Sequence, residues 1–150
     1  MESLLRVCAV VVPALPESVS SLRRLVRREA KRWLLSGEAQ DALQLVVSEL
    51  AGNVVLHSGS PYVALLLRVE MGVLTVKIRD GGRWGGRSAV VKREDGDCCG
   101  RGLTLVGAVV SRFAVVRTPG GTEVVAELDL PATVVPARRQ TEECLELTPA

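Results

Sequence analysis

The 150-residue sequence predicts an α+β domain, a two-layer sandwich in which a mixed, mostly antiparallel sheet carries helices on one face. Three observations predict it. Two pairs of strand-like runs, Tyr62 to Glu70 with Val73 to Arg79 and Phe113 to Arg117 with Thr122 to Leu130, are joined by short glycine-containing turns. Strands joined in this way cannot form a purely parallel sheet. Two segments ahead of the first pair repeat apolar residues at helical spacing. The length suits a single core, because a chain of this size buries about two-thirds of its unfolded surface. The expected organisation is one domain over 1–131 and a mobile or loosely docked tail over 132–150.

Taken in order, Leu4 to Val12 is rich in β-formers and ends at Pro13 and Pro16, as a first strand leaving into a turn would. Glu17-Ser18-Val19 supplies the acidic and hydroxyl residues of a helix start. Leu22, Leu25, Val26, Trp33 and Leu34 then recur on one helix face. Arg23, Arg24, Arg27, Arg28, Lys31 and Arg32 take the other, which reads either as a solvated surface or as one that meets an acidic partner. Ser36-Gly37 breaks the pattern. A second helix, Glu38 to His57, resumes it through Leu43, Val46, Val47, Leu50, Val54 and Val55, and Ser58-Gly59-Ser60-Pro61 stops it. Gly52 inside this helix costs about 1 kcal/mol relative to alanine, and close packing against a neighbouring backbone would account for it.

Met71-Gly72 joins the first hairpin. From Asp80 to Gly102 seven glycines and a charged cluster, Lys92-Arg93-Glu94-Asp95, replace apolar periodicity. Long loops of this kind inside a compact domain are commonly functional. A short helix, Leu103 to Val110, precedes the second hairpin, which turns at Pro119-Gly120-Gly121.

Composition removes several classes of function. Hydrophobic residues are 47% of the chain, so it is not a disordered polypeptide, and aromatics are 3%, so the core must be built from valine, leucine and alanine. A net charge of +2 and no aromatic stacking platform give no case for direct nucleic-acid binding. The longest apolar run, Val7 to Leu15, is too short to span a bilayer and lacks the flanks of a signal peptide, so a cytoplasmic protein with no membrane partner is expected. Cys8, Cys98, Cys99 and Cys144 contain no C-x-x-C pair and indicate neither a zinc site nor a disulfide framework.

Four places could carry chemistry. Glu49, Asn53 and His57 recur at intervals of four in the stretch SELAGNVVLH, where a helix makes them neighbours. A carboxylate there can accept a proton or orient water, and an amide oxygen suits magnesium; read alone, the pair could equally be a solvated stripe. Asp80-Gly81-Gly82 ends a strand at a glycine turn, which is a plain turn or a carboxylate placed to accept from an exocyclic amine while glycine lets a planar base approach. Gly100-Arg101-Gly102-Leu103 opens a helix, whose free amides and dipole favour phosphate. Gly120-Gly121-Thr122 begins the last strand, as a hairpin turn or as a hydroxyl reaching a ligand. With Ser58-Gly59 beside it, His57 reads as a helix-end residue, and the chain has no second histidine for a metal cluster or a phosphohistidine relay.

In their order and spacing, SELAGNVVLH, DGG, GRGL and GGT resemble the N box and three glycine boxes of the Bergerat ATP-binding fold, over about residues 4 to 130. The pattern is most similar to the small bacterial anti-sigma-factor serine/threonine kinases, whose N box also reads E-L-x-x-N-x-x-x-H. The resemblance implies ATP and Mg2+ as ligands. It implies Glu49 as the catalytic general base, Asn53 as the magnesium ligand, Asp80 on the adenine amino group with Gly82 beside the base and Thr122 supporting that contact. Gly100, Arg101, Gly102 and Leu103 would cover the phosphates, and Trp84 to Cys99 would form a lid. As partners it implies an RNA polymerase sigma factor and a small antagonist protein phosphorylated on serine, and it implies a homodimer. One departure stands out: Trp84 occupies the place of the second glycine in the first glycine box. A non-catalytic binding module with the same fold and weakened nucleotide binding is therefore the alternative expectation.

Overall fold

A computed structural model describes residues 4–82, 100–131 and 144–147. Strand β1 (Arg6–Pro13) leads into helices α1 (Pro16–Arg32) and α2 (Gly37–Asn53), and a π-helical turn over Val54–Ser58 extends α2. Strands β2 (Tyr62–Glu70) and β3 (Val73–Asp80) follow, then α3 (Gly100–Val109), β4 (Arg112–Thr118), β5 (Gly121–Asp129) and β6 (Cys144–Leu147). The six strands form one sheet in the order β4-β5-β3-β2-β1-β6. Neighbours run antiparallel except β1 and β6, which are parallel, so the sheet is mixed and mostly antiparallel as the hairpins required.

Local chemistry explains most boundaries. Pro16 stands in the first turn of α1, where its missing N–H costs nothing, and Glu17 complements the positive end of the helix dipole. The hydroxyl of Ser36 caps α2 by accepting from the Ala39 amide at 3.2 Å. Gly59, with φ of 70°, closes the π-helical turn in the left-handed conformation that glycine adopts without steric cost. The β2–β3 hairpin turns on Met71 and Gly72, both at positive φ, which suits the right-handed twist of the strands they join.

The core lies between the sheet and the helices. Alternate residues of the strands, Cys8, Val10 and Val12, then Val63, Leu65 and Leu67, Leu74, Val76 and Ile78, and Val124, Ala126 and Leu128, are buried on the helix-covered face. Against them pack Leu22, Leu25, Val26 and Ala30 of α1, Leu43, Val46, Val47 and Leu50 of α2, and Val106 of α3. The clusters recur at three and four residues, as a helix face must. The Arg6 guanidinium donates to the Trp33 carbonyl, tying the start of β1 to the end of α1.

Three details differ from or add to the sequence reading. The helix expected over Glu38 to His57 is α-helical only to Asn53. A methyl built at Gly52 meets nothing within 4 Å among the described residues, so close backbone packing does not explain that glycine. Within the tail, Cys144–Leu147 pairs alongside Cys8–Val11; the rest of 132–150 lies outside the described residues, as do Trp84 to Cys99.

Gly52→Ala is therefore expected to stabilise the protein by about 0.5–1 kcal/mol in urea denaturation, the ordinary helix preference with no clash to oppose it. A second prediction concerns acid. At the far end of the second hairpin Arg112 pairs with Glu127 and, at 2.6 Å, with Asp129, whose amide donates to the Ser111 hydroxyl. These contacts raise the Arg112 pKa and hold the Asp129 carboxyl below its ordinary value, with the Arg112 hydrogen bond the leading cause. Asp129 thus adds stability above the unfolded aspartate pKa of about 3.9, and that contribution disappears as pH falls through its lower folded value. The urea midpoint of Arg112→Met should lie slightly below that of the parent at neutral pH and converge with it in acid.

Candidate functional site

One corner of the molecule gathers the end of β3, the start of β5 and the turn that follows α2. The register aligns Asp80 with Thr122, the last residue of β3 beside the second of β5. Asp80 is 1% exposed and Thr122 2% exposed, so a carboxylate and a hydroxyl share a buried position at the sheet's end. The Gly82 amide donates to Asp80 Oδ1 at 2.8 Å, which folds the chain back over the carboxylate as it leaves β3.

Three backbones approach too closely here for side chains. A Cβ on Gly121, whose φ is +142°, would stand 1.9 Å from the Asp80 carbonyl oxygen, and one on Gly82 would stand 1.9 Å from the Ser58 carbonyl oxygen. Glycine at both positions is a steric requirement. Serine hydroxyls complete the junction. Ser60 Oγ accepts from the Gly81 amide at 2.9 Å and donates to the Tyr62 carbonyl at 2.8 Å, while the Ser60 amide donates to Ser58 Oγ at 3.1 Å. Ser58 Oγ donates in turn to the Val54 carbonyl at 3.0 Å, inside the π-helical turn. Both serines are buried, and they lock the end of the second helix onto the turn after β3.

Glu49 and Asn53 are half-buried on the last turns of α2, one α-helical turn apart. Neither engages a hydrogen-bond partner among the described residues, which leaves a carboxylate and an amide available to a ligand. Asn53 immediately precedes the π-helical turn whose Ser58 meets Gly82, so the end of α2 is anchored at the same corner. His57 lies in that wider turn and is exposed. It stands at the end of the helix, two residues before the left-handed Gly59.

Gly100, Arg101 and Gly102 form the first turn of α3, and Leu103 is partly buried against the core. The helix packs on α2, the element that carries Glu49 and Asn53. The structure thus brings Asp80, Gly82 and Thr122 together, attaches the end of α2 to them, and packs α3, whose first turn carries the glycines, on that same helix. The residues that sequence reasoning passed over are Ser58 and Ser60, read there only as a helix stop. A signal was present: two hydroxyls flanking a glycine directly before a strand, a pattern that often binds local backbone.

One atom at the corner lacks what burial demands. Thr122 Oγ1 is inaccessible to solvent and has no hydrogen-bond partner, the only side-chain atom of which this holds among the described residues. An unpaired buried hydroxyl costs about 1–3 kcal/mol. Next to a buried carboxylate, it suits a ligand that presents both a donor and an acceptor, as a planar heterocyclic base does.

A family model described as histidine kinase-like ATPase domain matches residues 12–128. Among solved structures, the RsbU and RsbW domains of Rv1364c from Mycobacterium tuberculosis align with a TM-score of 0.64 and 17% identity, covering 91% of this chain and 35% of that one. The histidine kinase domain of the blue-light activated histidine kinase EL346 from Erythrobacter litoralis aligns with a TM-score of 0.50 and 19% identity, covering 79% of this chain and 62% of that one. The chain therefore spans less than two-thirds of the length of either, and at these identities the likeness is one of fold. No curated protein sequence matches.

Thr122→Val replaces the unpaired hydroxyl by a methyl of similar size. The unliganded variant should be more stable than the parent by about 1–3 kcal/mol in thermal or urea denaturation; a comparable loss would mean that the hydroxyl already has a partner.

Proposed function

The chain belongs to the histidine kinase-like ATPase domain family, and from that premise we propose that it binds ATP with Mg2+ and transfers the terminal phosphoryl group to a serine of a partner protein. The observation that carries the reading is the buried pair at the corner, an Asp80 carboxylate beside a Thr122 hydroxyl with no partner of its own. A carboxylate there would accept from the exocyclic amine of adenine and the hydroxyl would complete the contact, with the Gly82 backbone beside the base.

Phosphoryl transfer asks a protein chiefly to position groups and neutralise charge. The amides at the start of α3, from Gly100 through Arg101 and Gly102 to Leu103, would hold phosphate oxygens with the favourable end of the helix dipole. Asn53 would hold Mg2+, which when bound offsets phosphate charge. Glu49, one helical turn before it, would orient the serine hydroxyl and take its proton. Both side chains project from a helix fixed by the core, so they need little reordering to act.

The likeness to a structure that includes an RsbW domain, together with the E-L-x-x-N-x-x-x-H pattern of the second helix, supports the finer reading. In it the chain is an anti-sigma factor and serine/threonine kinase of a partner-switching system, cytoplasmic and homodimeric. It would bind a sigma factor and phosphorylate a small antagonist that competes for it. None of the described helices is long and apolar enough to cross a membrane. A second reading has its own observation: Trp84 stands where the first glycine box carries glycine, which favours a binding module whose nucleotide affinity has weakened.

Isothermal titration with Mg-ATP and phosphate transfer to candidate antagonists separate the two. Glu49→Ala should retain ATP binding and lose transfer by about 10²–10⁴-fold, the usual range for a general base. Asn53→Ala should weaken binding only when Mg2+ is present. Thr122→Val should bind ATP about tenfold more weakly, one hydrogen bond's worth. Absence of binding at millimolar ATP would sink the kinase reading and leave the module.

A further inference from the structure

The exposed face of α1 is a block of positive charge. Along the helix, exposed basic pairs alternate with buried pairs in a four-residue rhythm: Arg23 and Arg24, Arg27 and Arg28, Lys31 and Arg32 point outward between the inward pairs Leu25-Val26 and Glu29-Ala30. The stripe runs for about 12 Å along the axis, at 1.5 Å per residue. Its members are not equivalent. Glu29, buried on the core side, draws Arg28 to 3.5 Å and Arg32 to 3.4 Å. Arg24 makes only a 3.4 Å contact with Ser21, and Arg27 and Lys31 engage nothing among the described residues.

At its Arg23 end the stripe meets α2. Arg23 Nε donates to Ser48 Oγ at 2.7 Å, and Gln44 Nε2 donates to the Arg23 carbonyl at 2.9 Å. Ser48 directly precedes Glu49 in α2. A body lying on α1 against Arg24, Arg27 and Lys31 therefore has its Arg23 end beside the turn of α2 that carries the candidate catalytic carboxylate. We infer that this face docks an acidic segment of a partner protein, held by Arg24, Arg27 and Lys31 and directed along the helix towards Glu49; the direction towards Glu49 rests on the kinase reading, the docking does not.

The chemistry of the face selects a protein over other polyanions. Exposed Glu17 begins α1, and exposed Glu38 and Asp41 begin α2 where the antiparallel helix pair turns, so acidic residues bound the stripe at both ends. A nucleic acid carries charge continuously and would meet those carboxylates, whereas a local acidic cluster matches a stripe of this length. A membrane surface would need apolar side chains among the cations to insert, and the stripe has none.

The test uses the full chain and fluorescent peptides followed by anisotropy without ATP: one serine flanked by glutamates, the same peptide with glutamines, and a duplex oligonucleotide as a third probe. The glutamate peptide should bind more tightly than the glutamine peptide, and its affinity should fall as salt is raised. Replacing Arg24, Arg27 and Lys31 together by glutamine should lower its affinity about tenfold, the sum of three exposed pairs. Circular dichroism and ATP affinity should be unchanged. Equal binding of the two peptides, an unaffected triple variant, or tighter binding of the oligonucleotide would overturn the inference. Because the peptides are read without nucleotide, a protein that fails to bind ATP but passes this test loses the kinase reading and keeps the docking face.

Discussion

Everything at the candidate site depends on how closely three stretches of backbone can pass. The carbonyl of Asp80 lies where a Cβ of residue 121 would be, and the carbonyl of Ser58 lies where a Cβ of residue 82 would be. With glycine at both places, β5 can run beside the end of β3, and the turn after β3 can seat against the turn after α2. The pairing of Asp80 with Thr122 follows from the first approach, and the attachment of α2 follows from the second. Fill either position and the strands must separate or the helix must lift, since neither neighbour is a flexible side chain that could give way.

The second helix connects this corner to the rest of the molecule. Its buried residues, Leu43, Val46, Val47 and Leu50, are among the most enclosed in the protein, and it touches α1, α3 and the sheet. Glu49 and Asn53 are interleaved with those core residues, so packing that stabilises the fold also fixes their position. A π-helical turn at its end leads into the serine-bound turn, a geometry frequent at functional sites.

Much of this architecture can be read from local pattern. The hairpins are legible because two-residue turns at Met71-Gly72 and Pro119-Gly120 separate runs of alternating burial, and the helices because Leu22, Leu25 and Val26 or Leu43, Val46 and Val47 recur at three and four. What is not legible depends on contacts between distant segments. Asp80 and Thr122 come together through the pairing of β3 with β5, across a whole helix and strand, and no local signal sets that register. Val54-Val55-Leu56 would suit an ordinary α-helix, so the change of pitch leaves no trace in the residues themselves. Cys144–Leu147 sits in a stretch of proline, arginine and threonine whose composition hides a short strand; only the exposed edge of β1 gives it a place. Glu49 and Asn53 are visible as a spacing, and that spacing by itself does not separate a site from a solvated stripe.

The unpaired hydroxyl of Thr122 has a consequence outside the chemistry of the site. A ligand that satisfies it binds the native state and not the unfolded one, so occupancy raises the free energy of unfolding with ligand concentration. In a cell, unfolded chains are the ones proteases remove, and small changes in stability alter steady-state abundance several-fold. Filling the corner would then lengthen the life of the folded chain as well as occupy the site.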